Sequence, residues 1–135
     1  MSAQLSVAVR NARLDAIEST IGTSPKLQIF DTNTPPADCA AADTGTKLVE
    51  MTLPSDWIAA ASGGLKSKLG TWNGTAITPG TAKFFRLKDS SGTTCHIQGV
   101  VTITGGGGEI TLDIVNITTG TITVTNTFTL NDDNA

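Results

Sequence analysis

Tyrosine is absent from this 135-residue chain, and aromatic residues make up only 4% of it. A core built here must rest on Ile, Leu and Val, with four Phe and two Trp as its only large aromatic rings. Charged residues are also scarce, at 16%. A disordered segment needs high charge and low hydrophobicity together, so the chain reads as folded. Nine basic residues stand against twelve acidic ones, for a net charge of −3 and a pI near 4.9. Nucleic-acid binding draws on clustered Lys and Arg; here they are scattered, and no nucleic-acid partner is expected. The densest basic group, Lys83, Arg86 and Lys88, reads as a solvated strand edge where charge discourages edge-to-edge pairing. Two cysteines, Cys39 and Cys95, are too few for a disulfide scaffold. They are expected to be reduced and buried, with a single bridge between them left open because geometry decides it. No apolar run is long enough to span a bilayer and no secretory segment follows Met1. Synthesis in a cytoplasm and no membrane partner are therefore expected.

Catalytic constellations are equally sparse. The single histidine, His96, adjoins Cys95. A zinc site takes about four ligands, and Cys39, Cys95 and His96 supply three. Neighbours in a strand also point to opposite faces, which separates Cys95 from His96 and disfavours both a shared metal and a thiol–imidazole pair. Gly105 to Gly108 lacks the Lys-Ser/Thr of a phosphate loop and reads as a hairpin linker. Paired carboxylates such as Asp132 and Asp133 fall in loops or in the tail, not across a cleft. No catalytic, cofactor-binding or metal-binding residue is assigned, no cofactor is expected, and the chain is read as a non-enzyme. Asn73-Gly74-Thr75 and Asn116-Ile117-Thr118 match the glycosylation sequon, which has no use without secretion. Trp57 and Trp72 are either core anchors or platforms for stacking a sugar ring.

What the chain does have is alternation. Phe85 and Leu87, then Cys95, Ile97, Val101 and Ile103, then Ile110, Leu112 and Ile114, then Ile122, Val124, Phe128 and Leu130 recur at period two, with Asn126 out of pattern. Period two is the signature of half-buried strands. On the opposite faces stand polar, Thr-rich sets, among them Thr121, Thr123, Thr125 and Thr127. Earlier strands are expected at Lys26 to Phe30 and Thr46 to Leu53, and a strand-like segment at Lys66 to Ile77. Asn73-Gly74 marks a possible turn in that segment. Short helical turns are read at Cys39 to Asp43 and Ser55 to Ser62, and Gly99 marks a bulge or a close backbone approach. Gln4 to Ile21 is the one helix candidate: Val7, Leu14, Ile17 and Ile21 share a face, Ser6 or Ser2 caps the start and Gly22 the end. The expected fold is mainly β, an antiparallel β-sandwich or jelly-roll-like small barrel with one N-terminal amphipathic α-helix. Residues 1–24 form the helix or arm and residues 25–135 a single β-sandwich domain. The helix either covers its own sheet or docks on a neighbouring subunit.

Several stretches carry a resemblance. They are Val9 to Pro25, Pro36 to Gly45, Leu53-Pro54-Ser55-Asp56-Trp57, Phe85 to His96 and the Gly105 to Gly108 run. Together they resemble a family of small proteins encoded in the structural gene clusters of tailed bacteriophages and prophages, over nearly the whole chain. The resemblance implies a virion component, and decoration or cement proteins of capsids are similar in being compact, oligomeric β domains. It implies the major capsid protein or other virion proteins as partners, a homo-oligomer, and residence in the virion after synthesis in the bacterial host cytoplasm. A tail or head-to-tail role, or a glycan- or receptor-binding module on the particle, are the alternatives. The expected protein-interface residues are Val7, Leu14, Ile17 and Ile21 on the helix, with Trp57 and Trp72.

Overall fold

A computed structural model describes residues 3–132. It is mainly β with one N-terminal helix, as expected from the patterning, and its principal sheet curls into a mixed half-barrel. The helix α1 (Val7–Ile21) begins at Ser6, whose hydroxyl accepts a hydrogen bond from Val9 N at 3.2 Å. Ser2, the other expected cap, lies outside the described residues. The helix stops at Gly22, which takes a φ of 88° that side chains resist, while its N–H donates to Glu18 O.

Strands follow at β1 (Lys26–Phe30), β2 (Lys47–Thr52), β3 (Leu65–Ser67), β4 (Trp72–Thr75), β5 (Gly80–Thr81), β6 (Phe84–Lys88), β7 (Cys95–Ile103), β8 (Ile110–Leu112), β9 (Asn116–Ile117) and β10 (Ile122–Asn131). The sheet order is β2-β1-β6-β7-β8-β10-β3, with β4 also on β10 and β5-β9 as a separate pair. The sheet curls far enough that the chain after β4 returns to β2, where Ile77 N donates to Leu48 O at 2.8 Å. β7 and β8 pair in parallel, so the sheet is mixed. The Gly105 to Gly108 run is therefore not a hairpin linker. It folds back along β7, with Gly108 N donating to Thr102 Oγ1 at 3.0 Å, and re-enters the sheet in the same direction. A Cβ at Gly108 would meet Val100 O at 2.9 Å, which is why the return uses glycine.

Three local expectations are corrected. Asn73-Gly74 does not turn; both lie inside β4, opposite Val124 and Thr123 of β10. Gly74 is there because a Cβ would meet Glu50 O at 2.6 Å, so close packing rather than turn geometry selects it. Ser55 to Ser62 forms no helical turn; Ile58 and Ser62 instead make single antiparallel bridges to Lys68 and Leu65. Lys83, Arg86 and Lys88 are not a solvated edge, because β6 lies between β1 and β7, and Arg86 and Lys88 are buried. Gly99 does mark a close approach, since its missing Cβ leaves room for the Phe85 ring.

The core fills the concave face with Leu27, Ile29, Met51, Phe85, Leu87, Val101, Ile110 and Leu112. Its centre is aromatic: Trp72 stands 5.3 Å from Phe128 and 6.0 Å from Trp57, and Phe128 meets Phe85 edge-on at 6.0 Å. Such pairs add about 0.5–1.5 kcal/mol each beyond burial.

β10 departs from its sequence pattern in an informative way. Its first half is inverted: Thr123 and Thr125 are buried, while Ile122 and Val124 are 71% and 41% exposed. The pairing with β8 slips between Thr125 and Thr127, leaving Asn126 as an extra residue. One extra residue moves every following side chain to the other face. Phe128 consequently enters the core although it shares the parity of Ile122 and Val124 in the sequence. Phe128→Ala should destabilise the protein by about 3–5 kcal/mol. Ile122→Ala should change stability by no more than about 0.5 kcal/mol. Urea unfolding of both variants reads the contrast, and equal losses would contradict the inversion.

Candidate functional site

The helix stripe divides between core and solvent. Leu14 and Ile21 are buried and Ile17 packs partly against the core, while Val7 is exposed. The helix lies on its own sheet, held through its polar flank as well as its apolar one. Lys66 of β3, with its side chain fully buried, reaches Asp15 Oδ1 at 2.6 Å and Glu18 Oε2 at 2.7 Å. Asn11 accepts from Gly64 N at 2.9 Å, and Arg10 donates to Asp132 O at 3.1 Å. The helix and the β domain thus share one body of contacts.

Trp57 and Trp72, expected at an interface, have no exposed surface. Trp57 Nε1 donates to Gly22 O at 2.9 Å and so ties the helix end to the core; Trp72 Nε1 is shared between the carbonyls of Trp57 and Leu69, each at 3.1 Å. Buried indoles find such partners or lose stability. All four Phe are buried as well, so none of the aromatic rings forms a surface platform.

Two other places stand out, neither legible as a site from the sequence. The first lies on the convex face of β1, β6 and β7, beneath the long connection of residues 31–46. Arg86, 2% exposed, donates from Nη1 to Asp43 Oδ1 at 2.6 Å and Ala41 O at 3.0 Å. Its Nη2 donates to Cys39 O at 2.9 Å and Asp38 O at 3.2 Å. Lys88 donates to the other Asp43 oxygen at 2.7 Å, and Gln98 holds Pro36 O at 2.8 Å. Phe30 and Phe84 stack at 4.9 Å on the adjoining convex surface. The connection is thus fastened as a cover, and a guanidinium is suited to this because its fork can serve several acceptors at once. Burial pushes the Asp43 carboxyl up, but hydrogen bonds and charge from Lys88 and Arg86 outweigh it and hold the group below the ordinary carboxylate range. Cys39 and Cys95 sit beside this cluster, Sγ to Sγ at 3.0 Å. Among the described residues no group of three or more His, Cys, Asp or Glu is placed to hold a metal ion.

The second place is the surface created by the inverted half of β10. Ile114, at 67% exposed, joins Ile122 and Val124 around a depression of about 270 Å³ that also touches Ile117 and Thr118. β8 pairs with β10 only from Thr125 onward, so the depression opens beside the first residues of β10. The signal that could have found it is Asn126, the one break in an otherwise regular alternation. Arg86 had a signal too: Phe84-Phe85 marks a strand with apolar side chains on both faces, which is incompatible with a solvated edge.

Searches against protein-family models, curated proteins and solved structures return no match. The resemblance to phage structural proteins accordingly rests on the sequence pattern alone.

Removing the Arg86 guanidinium leaves the connection's carbonyls and Asp43 without their donor. Arg86→Ala should destabilise by about 3–5 kcal/mol. Asp43 adds a pH signature. Its folded carboxyl titrates below its ordinary value, so its contribution is present above the ordinary carboxylate range and is lost as pH falls through the depressed value. Asp43→Asn should be less stable than the wild type at neutral pH, by a gap moderated by solvent at this part-exposed side chain, and the gap should close on acidification. Denaturant unfolding at neutral and acidic pH measures it; a gap independent of pH would mean that the charge contributes nothing.

Proposed function

We propose that this protein is a structural component of a bacteriophage particle, a capsid decoration or cement protein that stabilises the head through protein–protein contacts and performs no catalysis. The phage assignment is supported by the sequence resemblance. The observation that carries the contact role is the outward apolar surface of Ile114, Ile122 and Val124. With Thr123 and Thr125 buried, Ile122 and Val124 stand in water and their apolar area is uncovered in the isolated chain. Contact with another protein recovers the area. A stable interface covers about 800 Å² on each partner, so the three side chains would form its apolar centre and the surrounding Thr-rich surface its polar rim. The partners in this reading are the major capsid protein or other virion proteins, with copies of the chain associating as a homo-oligomer. The protein is made in the host cytoplasm and resides in the virion. The glycan-binding alternative is weakened because Trp57 and Trp72 are inside the core.

Deleting the gene from the encoding phage tests the role. Particles should assemble but expand or leak on heating or at low ionic strength, and added wild-type protein should restore them. The double variant Ile122→Asp, Val124→Asp should keep its Tm and fail to restore. Tail-less particles, or particles that lose their DNA, would assign the protein to the tail or the head-to-tail junction instead. Restoration by the double variant would remove this surface as the contact. A monomer by solution mass at high concentration would exclude the homo-oligomer.

A further inference from the structure

Cys39 and Cys95 are 56 residues apart in sequence and touch through their sulfur atoms, at 3.0 Å. One sits in the connection of residues 31–46 and the other at the first position of β7. Both are part-exposed. They line a depression of about 420 Å³ with Asp43, Arg86 and Lys88, large enough for a small thiol reagent to reach either sulfur. Apart from this contact, the connection is tied to the convex face by hydrogen bonds and by the ion pairs of Asp43 with Arg86 and Lys88, through Arg86, Lys88 and Gln98.

We propose that Cys39 and Cys95 form an oxidant-sensitive pair that closes into an intramolecular disulfide and covalently fastens the 31–46 connection to β7. The co-reactant is a small-molecule disulfide. The Cys39 thiolate attacks one of its sulfurs, forming a Cys39 mixed disulfide and expelling one small thiolate. Cys95 then loses its proton to the first expelled thiolate, and the Cys95 thiolate attacks the Cys39 sulfur and expels the second small thiolate, which takes a proton from water. Two protein thiols are oxidised, one small disulfide is reduced to two thiols, and the atoms balance. Cys95 is assigned the resolving role because burial and the contact with Cys39 push its thiol up, against the opposing pull of Arg86. Closure brings the sulfurs from 3.0 Å to the bond length of about 2.05 Å.

The bridge would convert a cover held by weak bonds into a covalent one when the protein passes from a reducing to an oxidising medium. It would leave the Ile114, Ile122 and Val124 surface untouched, and the inference does not rest on the particle role.

The test uses the full-length protein equilibrated with oxidised glutathione or with dithiothreitol. Both thiols should disappear together, and intact mass should show the loss of two hydrogens and no glutathione. Digestion without reductant should yield a Cys39–Cys95 linked peptide. The thermal midpoint should rise by on the order of 10 °C, because the bridge constrains the unfolded chain, and reductant should reverse the rise. Cys39→Ser and Cys95→Ser should each show a midpoint indifferent to the oxidant. Retained thiols, a lasting glutathione adduct on the wild type, a disulfide-linked dimer, or a rise that persists in the serine variants would overturn the proposal. The wild-type peptide map decides the matter even if a serine variant fails to fold.

Discussion

β10 is shared among three other strands, and the sheet depends on its being able to serve them all. Its first residues pair with β4, its last with β3, and its middle with β8. These neighbours do not demand the same face. Near β3 and β8 the core requires Phe128 between Phe85 and Trp72. Near β4 the core is already filled by Trp72 and Met51, and Thr125 fits there, its hydroxyl 3.5 Å from the Met51 sulfur. A regular strand cannot present Thr125 and Phe128 to one side, because they differ in parity. The extra residue at Asn126 resolves the conflict, and the outward display of Ile122 and Val124 is its direct consequence.

The convex face meets a different constraint. With one short helix and no second large layer, the sheet has only its own connections to cover β1 and β6 from outside. The 31–46 connection does so, although a segment of that length without regular structure has backbone groups that need partners. Arg86 supplies much of what is needed, reaching three carbonyls and one carboxylate from the centre of the sheet. The helix is treated in the same way at the other end of the molecule, where Lys66 is buried against Asp15 and Glu18. Buried cations thus act as clamps between the sheet and the segments that pack on it. Removing the acidic partners of either clamp would leave its cation as a buried charge without compensation.

A division of labour follows for the surface. The aromatic side chains are spent on the core, and the charged residues that look most like a binding patch are engaged internally. What remains outward is Thr-rich and weakly charged, with exposed apolar side chains on the helix and several strands, the most exposed being Ile114 and Ile122 beside the inverted half of β10. Such a surface is suited to lying against another protein, and the proposed particle role draws on that suitability. Beside the Arg86 clamp, the two thiols add a point at which the same cover can be made permanent.

The sequence by itself determined the class of fold and most of the strands. Period-two alternation, Gly and Pro punctuation and the capped 15-residue helix are local signals, and local backbone preference decides them. It located the helix end at Gly22 and offered Ser6 as one of two caps, although the helix starts at Val7 rather than Gln4, and a close approach was one of two readings of Gly99. Tertiary structure alone decided where the faces point. Asn73-Gly74 became strand because Glu50 approaches from β2, and the Gly105 to Gly108 run became a parallel return because of its path along β7. Of the helix stripe, Leu14 and Ile21 became buried, Ile17 half-buried and Val7 exposed, while both Trp became core. The clamp joins residues 43 and 86, the thiol pair residues 39 and 95, and neither spacing leaves a trace in local sequence. Alternation states that a strand has two faces; only packing against distant strands states which of them is inside, and a single extra residue at Asn126 was enough to exchange them.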